Sequence, residues 1–332
     1  MEENLTQPLL EPERPDSYAS VDPVLAFGSA TILKHTRAMS AEIDKVRVGR
    51  DPEAIHRMRV ASRRLRTALQ LFPDCLPSHR SGNWYKAIRK AASSLGHSRD
   101  LDVQIISLDE ILKSISNRSI LPGVRRIALR TRQQRDKAQE DVQKSLDVLE
   151  KSRALESIEK KLSSKILDVE IEKSRTPALF LLASQSCAKL LAEFLMFKEF
   201  VHRPECVPEL HQMRIIAKHL RYTLETFSDL YTDGLTQYLQ AIRTTQTLLG
   251  DIHDCDVWKL ILPEMIKAER RRTLAYFGNT QPMHRLQAGF QWFLENRNSH
   301  RDETYLTFVK KWDIWEVKGF WPALFGILTQ QV

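Results

Sequence analysis

One basic helix-forming segment occurs twice in this chain, about half its length apart. Residues 55–72 read IHRMRVASRRLRTALQLF and residues 210–227 read LHQMRIIAKHLRYTLETF. Seven of the 18 aligned positions are identical: His56/His211, Met58/Met213, Arg59/Arg214, Leu65/Leu220, Arg66/Arg221, Leu69/Leu224 and Phe72/Phe227. Average composition gives roughly one identity by chance over such a window. A second pair of blocks follows, IRKAASSLGHSRDLDV at 88–103 and IRTTQTLLGDIHDCDV at 242–257, with seven of 16 positions shared. The offsets are 155 and 154, so a single loop residue separates the two registers. Duplication of this kind dictates that whatever unit the first half builds, the second half builds again.

The charged face of the repeated helix carries the functional signal. At about 100° per residue, His56, Arg59, Arg63 and Arg66 fall within roughly an 80° sector. His211, Arg214, Lys218 and Arg221 do the same in the second copy. Met58, Leu65, Leu69 and Phe72, matched by Met213, Leu220, Leu224 and Phe227, lie on the other side as a core stripe. Positions 57 to 66 hold five arginines and no acid, so their repulsion requires an anion, water or distant acids to offset it. For one helix, a solvated basic face would be the ordinary explanation. Retention of the stripe in two diverged copies favours a polyanion site instead.

Composition narrows the choice of partner and compartment. A net charge of +8 favours acidic partners such as phosphate polymers, nucleic acid or anionic lipid. The first 22 residues lack a basic region followed by an apolar run, so they do not read as a secretory signal, and their prolines and polar residues predict a disordered tail. The longest apolar stretch, Ala178 to Phe197, is interrupted by Gln185, Lys189 and Glu193, which predicts a buried helix in place of a membrane span. Cys75, Cys187, Cys206 and Cys255 form no CxxC pair, and reduced thiols in the cytoplasm are expected.

Hydrophobic spacing follows three-and-four steps, and the expected fold is all-α. A first helix is predicted over about 23–46, then the motif helix, capped by Asp51-Pro52 and closed by Pro73 and Pro77. A third helix over about 81–95 and a fourth from Asp100 are separated by the Leu95-Gly96 break. An Arg-rich helix follows Pro122. Pro177, Pro208, Asp233 and Asp254 mark the matching starts in the second half. The domain plan is a tail over 1–22, a first repeat over 23–165, a connection over 166–176 and a second repeat over 177–332. Two antiparallel four-helix bundles related by an internal pseudo-twofold follow from this plan.

The blocks HRMRVASRRLR and HQMRIIAKHLR, each followed by LGxxxDxDV, resemble the CHAD family of histidine-containing α-helical domains, from about residue 23 to 328. The resemblance implies two four-helix bundles with a basic central channel, binding of inorganic polyphosphate, and in some members a location at polyphosphate granules. Carried over by position, the implied ligand residues are His56, Arg59, Arg63, Arg66 and Arg89, with His211, Arg214, Lys218, Arg221 and Arg243. Arg64 and His219 form a further equivalent pair on the helix flank, and Lys34 and Lys189 another at the same offset.

The ligand chemistry fits on physical grounds. Polyphosphate has no base to read, so its receptor needs only spaced cations. His56 to Arg66 span roughly 15 Å of helix, enough for several phosphoryl groups, and the arginine fork donates two hydrogen bonds to adjacent oxygens. The histidines are expected to act as auxiliary cations, with helix-packing residues as the alternative. A metal at the Asp251, His253, Asp254, Cys255, Asp256 cluster is disfavoured because Arg99 replaces His253 in the first copy; these aspartates are expected to be helix caps and partners for arginines. The ExExK signature of the triphosphatase domain that can accompany CHAD domains has only a misplaced echo at Glu170-Ile171-Glu172-Lys173. There is no Walker loop or nucleophile elbow, so no enzyme activity, cofactor or metal is expected. Trp312, Trp315 and Trp321, beside Lys310 and Lys311, read as core, with base stacking as the alternative. A nucleic-acid-binding helical repeat and a scaffold for an acidic or phosphorylated protein are the competing functions.

Overall fold

The computed structural model describes residues 22–49, 51–166, 176–231 and 234–330. Most of the expected tail and of the 166–176 connection, the Asp233 helix start and the Glu170–Lys173 string lie outside the described residues. The helices are α1 (Pro23–Ser40), α2 (Ile43–Val48), α3 (Pro52–Leu71), α4 (Ser78–Ser114), α5 (Leu121–Lys151), α6 (Ala154–Ile166), α7 (Pro177–Leu195), α8 (Val207–Phe227), α9 (Thr236–Phe277), α10 (His284–Val317) and α11 (Phe320–Thr329). Among the described residues there is no strand, so the all-α expectation holds.

Local chemistry sets several of these boundaries. Asp22 and Asp51 accept backbone N–H bonds from Val24 and Glu53 at 2.8 and 2.9 Å, and each is followed by a proline in the first turn. Gly49 closes α2 at φ 73°, a left-handed conformation that glycine adopts without a Cβ penalty. The single helix expected over 23–46 is divided at Ala41-Glu42 into α1 and α2.

The Leu95-Gly96 break is not there. Helix α4 runs through it for 37 residues, and α9 runs through Leu249-Gly250 for 42, so Asp254 lies mid-helix and starts nothing. An interior glycine costs about 1 kcal/mol relative to alanine, less than the neighbouring helices return by packing against Leu95 and Leu249, which are both buried. The motif aspartates are therefore not caps. Asp102 and Asp256 instead make buried ion pairs, each 2.6 Å long, with Arg135 on α5 and Arg301 on α10. The same pair, from equivalent positions, ties α4 to α5 and α9 to α10.

Each half has the same pairing of neighbours: α1 on α3, α3 on α4, α4 on α5 and α6 on α1, matched by α7 on α8, α8 on α9, α9 on α10 and α11 on α7. The halves do not keep separate cores. One buried cluster runs through both, and Phe72 meets Phe227 at its centre with ring centroids 5.9 Å apart and Phe27 against each. Trp312 and Trp321 are buried here and Trp315 packs against them, as expected of core aromatics. Helix α7 has the length and composition to cross a membrane, but Leu179, Ala183, Cys187, Leu191 and Phe194 form a fully buried face, and it packs on α8, α11 and α1.

The halves also cross where α5 meets α10. A methyl group at Gly123 would lie 2.7 Å from the Cα of Gly289, and one at Gly289 equally close to the Cα of Gly123. Each would also collide with a backbone carbonyl, that of Leu286 or Ile120, three residues before the facing glycine. The contact is reciprocal, as two copies of one unit meeting face to face require. Gly123→Ala or Gly289→Ala is expected to push the helices apart and destabilise the fold by about 1–3 kcal/mol. Chemical denaturation of each variant checks this, and an unchanged midpoint would show that the crossing yields freely.

Candidate functional site

Helices α3 and α8 present their basic stripes to a common cleft of about 510 Å³, floored by α4 and α9. Of the residues expected at the site, His56, Arg59, Arg63, Arg64, Arg214, Lys218, Arg221 and Arg243 line it. Arg66, Arg89, His211, His219, Lys34 and Lys189 are not among its walls. Arg66 sits over the Tyr85 ring, 5.8 Å from its centroid. Arg89 is exposed on α4, Lys34 on α1 and Lys189 on α7. His211 stacks on His253 at 4.1 Å, and His219 is close enough to Lys218 and Arg66 to feel their charge.

The sequence reading missed Arg99, Asp100, Glu225, Asp251 and Asp254, which also line the cleft. Its helix break hid four of these. On one continuous helix, Arg89 and Asp100 are eleven residues apart and therefore only about 20° out of phase, and Arg243 and Asp254 share that spacing. The glycines make sense on the same face. A Cβ at Gly96 would stand 4.0 Å from Arg59 Nε, and one at Gly250 3.5 Å from Arg214 Nε, so each motif arginine lies over a bare stretch of the adjacent helix.

Eight basic and four acidic side chains line the cleft. Three of the ten-residue cluster of arginines on α3 find acids: Arg57 pairs with Glu42 and Asp51, Arg59 with Asp100 at 3.5 Å, and Arg64 with Glu225 at 3.0 Å. Among the described residues, no carboxylate lies within ion-pair distance of Arg63, Arg66, Arg214 or Lys218. Arg63 instead places its guanidinium group over the Tyr222 ring, 5.0 Å from the centroid, and Arg221, which also has Glu225 at 3.6 Å, sits over the same ring at 4.6 Å, where the ring face partly offsets the charge.

Crowding of cations shows in the acid–base equilibria. Burial, with Arg214, Arg63 and Arg59 adding to it, pushes Lys218 down to about 7. Burial likewise lowers Arg63 to about 10, with Arg59, Arg221 and Arg214 contributing. His56 is lowered by burial and by Arg99, and His211 by burial, Arg214 and Lys218. Both imidazoles are therefore neutral near pH 7 in the free protein, and each has an Nδ1 buried without a partner among the described residues. Asp254 opens on the cleft but is hemmed in by protein, and this desolvation raises it to about 6 against the pull of Arg214. The cleft is an electropositive surface short of counter-charge. Among the described residues, no group of three or more His, Cys, Asp and Glu side chains could hold a metal ion.

The CHAD domain family matches residues 30–263, well over half of the chain and inclusive of both motif helices and both LGxxxDxDV blocks. The chain belongs to the CHAD-domain family. No curated protein matches. Among solved structures, the CHAD domain from the plant Ricinus communis is similar at 22% identity and a TM-score of 0.59, covering 87% of this chain and 91% of its own. PptA from Streptomyces chartreusis is similar at 15% identity and a TM-score of 0.52, covering 86% and 99%. At these identities the likeness is one of fold. The family match ends within α9.

The Lys218 shift gives this CHAD domain a testable pH dependence. Its folded-state value of about 7 lies below the usual 10.5, so between these values the unfolded chain binds more protons and stability rises with pH. Lys218→Met is expected to raise the melting temperature of the free protein at pH 7 and to flatten the rise toward pH 9. Thermal unfolding at pH 7, 8 and 9 checks both effects, and parallel curves for the two proteins would contradict them.

Proposed function

We propose that the cleft binds inorganic polyphosphate, with the two repeats contributing to one shared site in a basic channel between their bundles. The observation that carries this reading is the set of under-neutralised cations contributed by both copies: Arg63 from α3, with Arg214 and Lys218 from α8. A linear polyanion supplies the missing counter-charge to all of them at once. Membership of the CHAD family, which is associated with polyphosphate, supports the same ligand.

The protein acts as a binding module and not as an enzyme in this account. The cleft holds cations and isolated carboxylates, with no nucleophile aligned to a base. The action is placed in the cytoplasm, with association with polyphosphate granules as its physiological setting; the free thiols of Cys187, Cys206 and Cys255 suit a reducing compartment. Nucleic acid is the runner-up ligand. Against it stands the burial of Trp312 and Trp321, which removes the most obvious stacking platform for bases. A phosphorylated or acidic protein partner would use the same cations but would need access to a cleft whose walls are helices on both sides.

Charge reversal in either copy tests the shared site. Arg59→Glu with Arg63→Glu, and separately Arg214→Glu with Lys218→Glu, are each expected to weaken long-chain polyphosphate binding at least tenfold, about 1.4 kcal/mol or more, with helicity preserved. A folded double variant of one copy with unchanged affinity would show that the copies do not share a site. In competition calorimetry at matched charge, random-sequence RNA is expected to displace polyphosphate poorly; equal or better displacement would transfer the assignment to nucleic acid.

A further inference from the structure

One end of the cleft and the equivalent residues of the other copy, which lie outside its walls, descend from the same duplicated unit yet are not alike. At one end, Glu225 on α8 holds Arg64 at 3.0 Å, Arg243 at 3.1 Å and Arg221 at 3.6 Å. Its side chain is only 15% exposed, so three guanidinium groups close over one carboxylate. The equivalent residues of the other copy are Gln70, His219, Arg89 and Arg66. There the glutamine donates to the Tyr85 hydroxyl at 3.1 Å, the histidine is held below its usual pKa by burial and by Lys218, and among the described residues neither arginine has an acidic partner. The net charge of the two quartets is the same with His219 neutral. What differs is that one quartet already contains its anion.

Resting on the polyphosphate reading of the cleft, we infer that Glu225 is a resident competitor for the ligand. It accepts one N–H from each of Arg64 and Arg243 and lies within ion-pair distance of Arg221 in the free protein, and a phosphate chain must compete with it for these cations to fill that end. Carboxylate and phosphate oxygens bind the same N–H groups of arginine, so each N–H and each unit of positive charge held by Glu225 is taken from the ligand. A Glu225 carboxylate displaced by phosphate is also left beside the incoming anion, which adds repulsion. The consequence is a polarised site. A chain is held by the unpartnered cations Arg63, Arg214 and Lys218 and, where it runs out of the cleft, by Arg66 and Arg89, and engages the Glu225 end last and most weakly. Affinity is thereby set below what the arginines alone would give.

The alternative role for Glu225, holding the arginines in position for the ligand, predicts the opposite sign, which makes the test decisive. Binding of long-chain polyphosphate and of pyrophosphate would be measured by calorimetry over a range of salt for wild type, Glu225→Gln and Gln70→Glu, with circular dichroism to confirm folding. Glu225→Gln is expected to tighten long-chain binding at least fivefold and to steepen the log–log salt dependence by about two, as two to three further cations are engaged at roughly 0.7 per phosphate. Pyrophosphate, too short to span the centre and that end together, is expected to gain far less. Gln70→Glu, at an exposed position, is expected to weaken long-chain binding by placing the same carboxylate beside Arg66 and Arg89 where the chain leaves the cleft, and it decides the matter alone should Glu225→Gln fail to fold. Unchanged or weaker long-chain binding by folded Glu225→Gln, or unchanged binding by Gln70→Glu, would overturn the competitor role while leaving polyphosphate binding intact. Failure of the wild type itself to bind polyphosphate would overturn the proposed function and this inference with it.

Discussion

The cleft depends on like charges being held together without enough acid to neutralise them. Arg63, Arg214 and Lys218 are brought from two helices into a space where burial already disfavours their charged forms. No local interaction of these residues would choose that arrangement. It is imposed by the opposite faces of the same helices, where Met58, Leu65, Met213 and Leu220 are fully buried in the shared core. Burial of a side chain of that size contributes about 1.5–3 kcal/mol, and several such residues per helix outweigh the repulsion on the other face. The Phe72–Phe227 contact, the Gly123–Gly289 crossing and the two buried Asp–Arg pairs fix how the halves and their hairpins meet, and so fix the spacing of the cations. Electrostatic strain at a binding site offset by a rigid scaffold is a familiar pattern.

Much of this was legible in the sequence because duplication made it so. Repeated periodicity identified α3 and α8, their buried stripes and their cationic stripes, and Asp51-Pro52 marked the start of α3 correctly. Most of the failures share one cause. A Leu-Gly pair is an ordinary helix stop when read locally, and only the neighbouring arginine shows why glycine stands there inside a continuous helix. Reading a stop at Gly96 turned the following aspartates into caps and concealed Arg99, Asp100, Asp251 and Asp254 from the site. Glu225 was invisible for a different reason: at its position the two copies disagree, and agreement between copies was the signal being followed. Arg66 and His211 were assigned to the site by helical phase and by the family resemblance, neither of which shows that an aromatic neighbour, Tyr85 or His253, can claim a side chain first.

Divergence between the copies is as informative as their likeness. The Asp102–Arg135 and Asp256–Arg301 pairs and the glycine positions are shared, which keeps the framework symmetric. Among the positions that differ, Arg99 against His253, Arg64 against His219 and Glu225 against Gln70 each put one member in the cleft. A symmetric framework with an asymmetric lining suits a ligand whose own ends are equivalent but whose hold on the protein need not be.

The central claim, that both repeats face one polyanion, is tested most directly by the crystal structure of the protein soaked with medium-chain polyphosphate. The account predicts a continuous run of phosphoryl groups between α3 and α8, with at least one oxygen within hydrogen-bond distance of Arg59 or Arg63 and another within reach of Arg214 or Lys218. Phosphate density confined to an outer helix face, or to one motif helix alone, would contradict it.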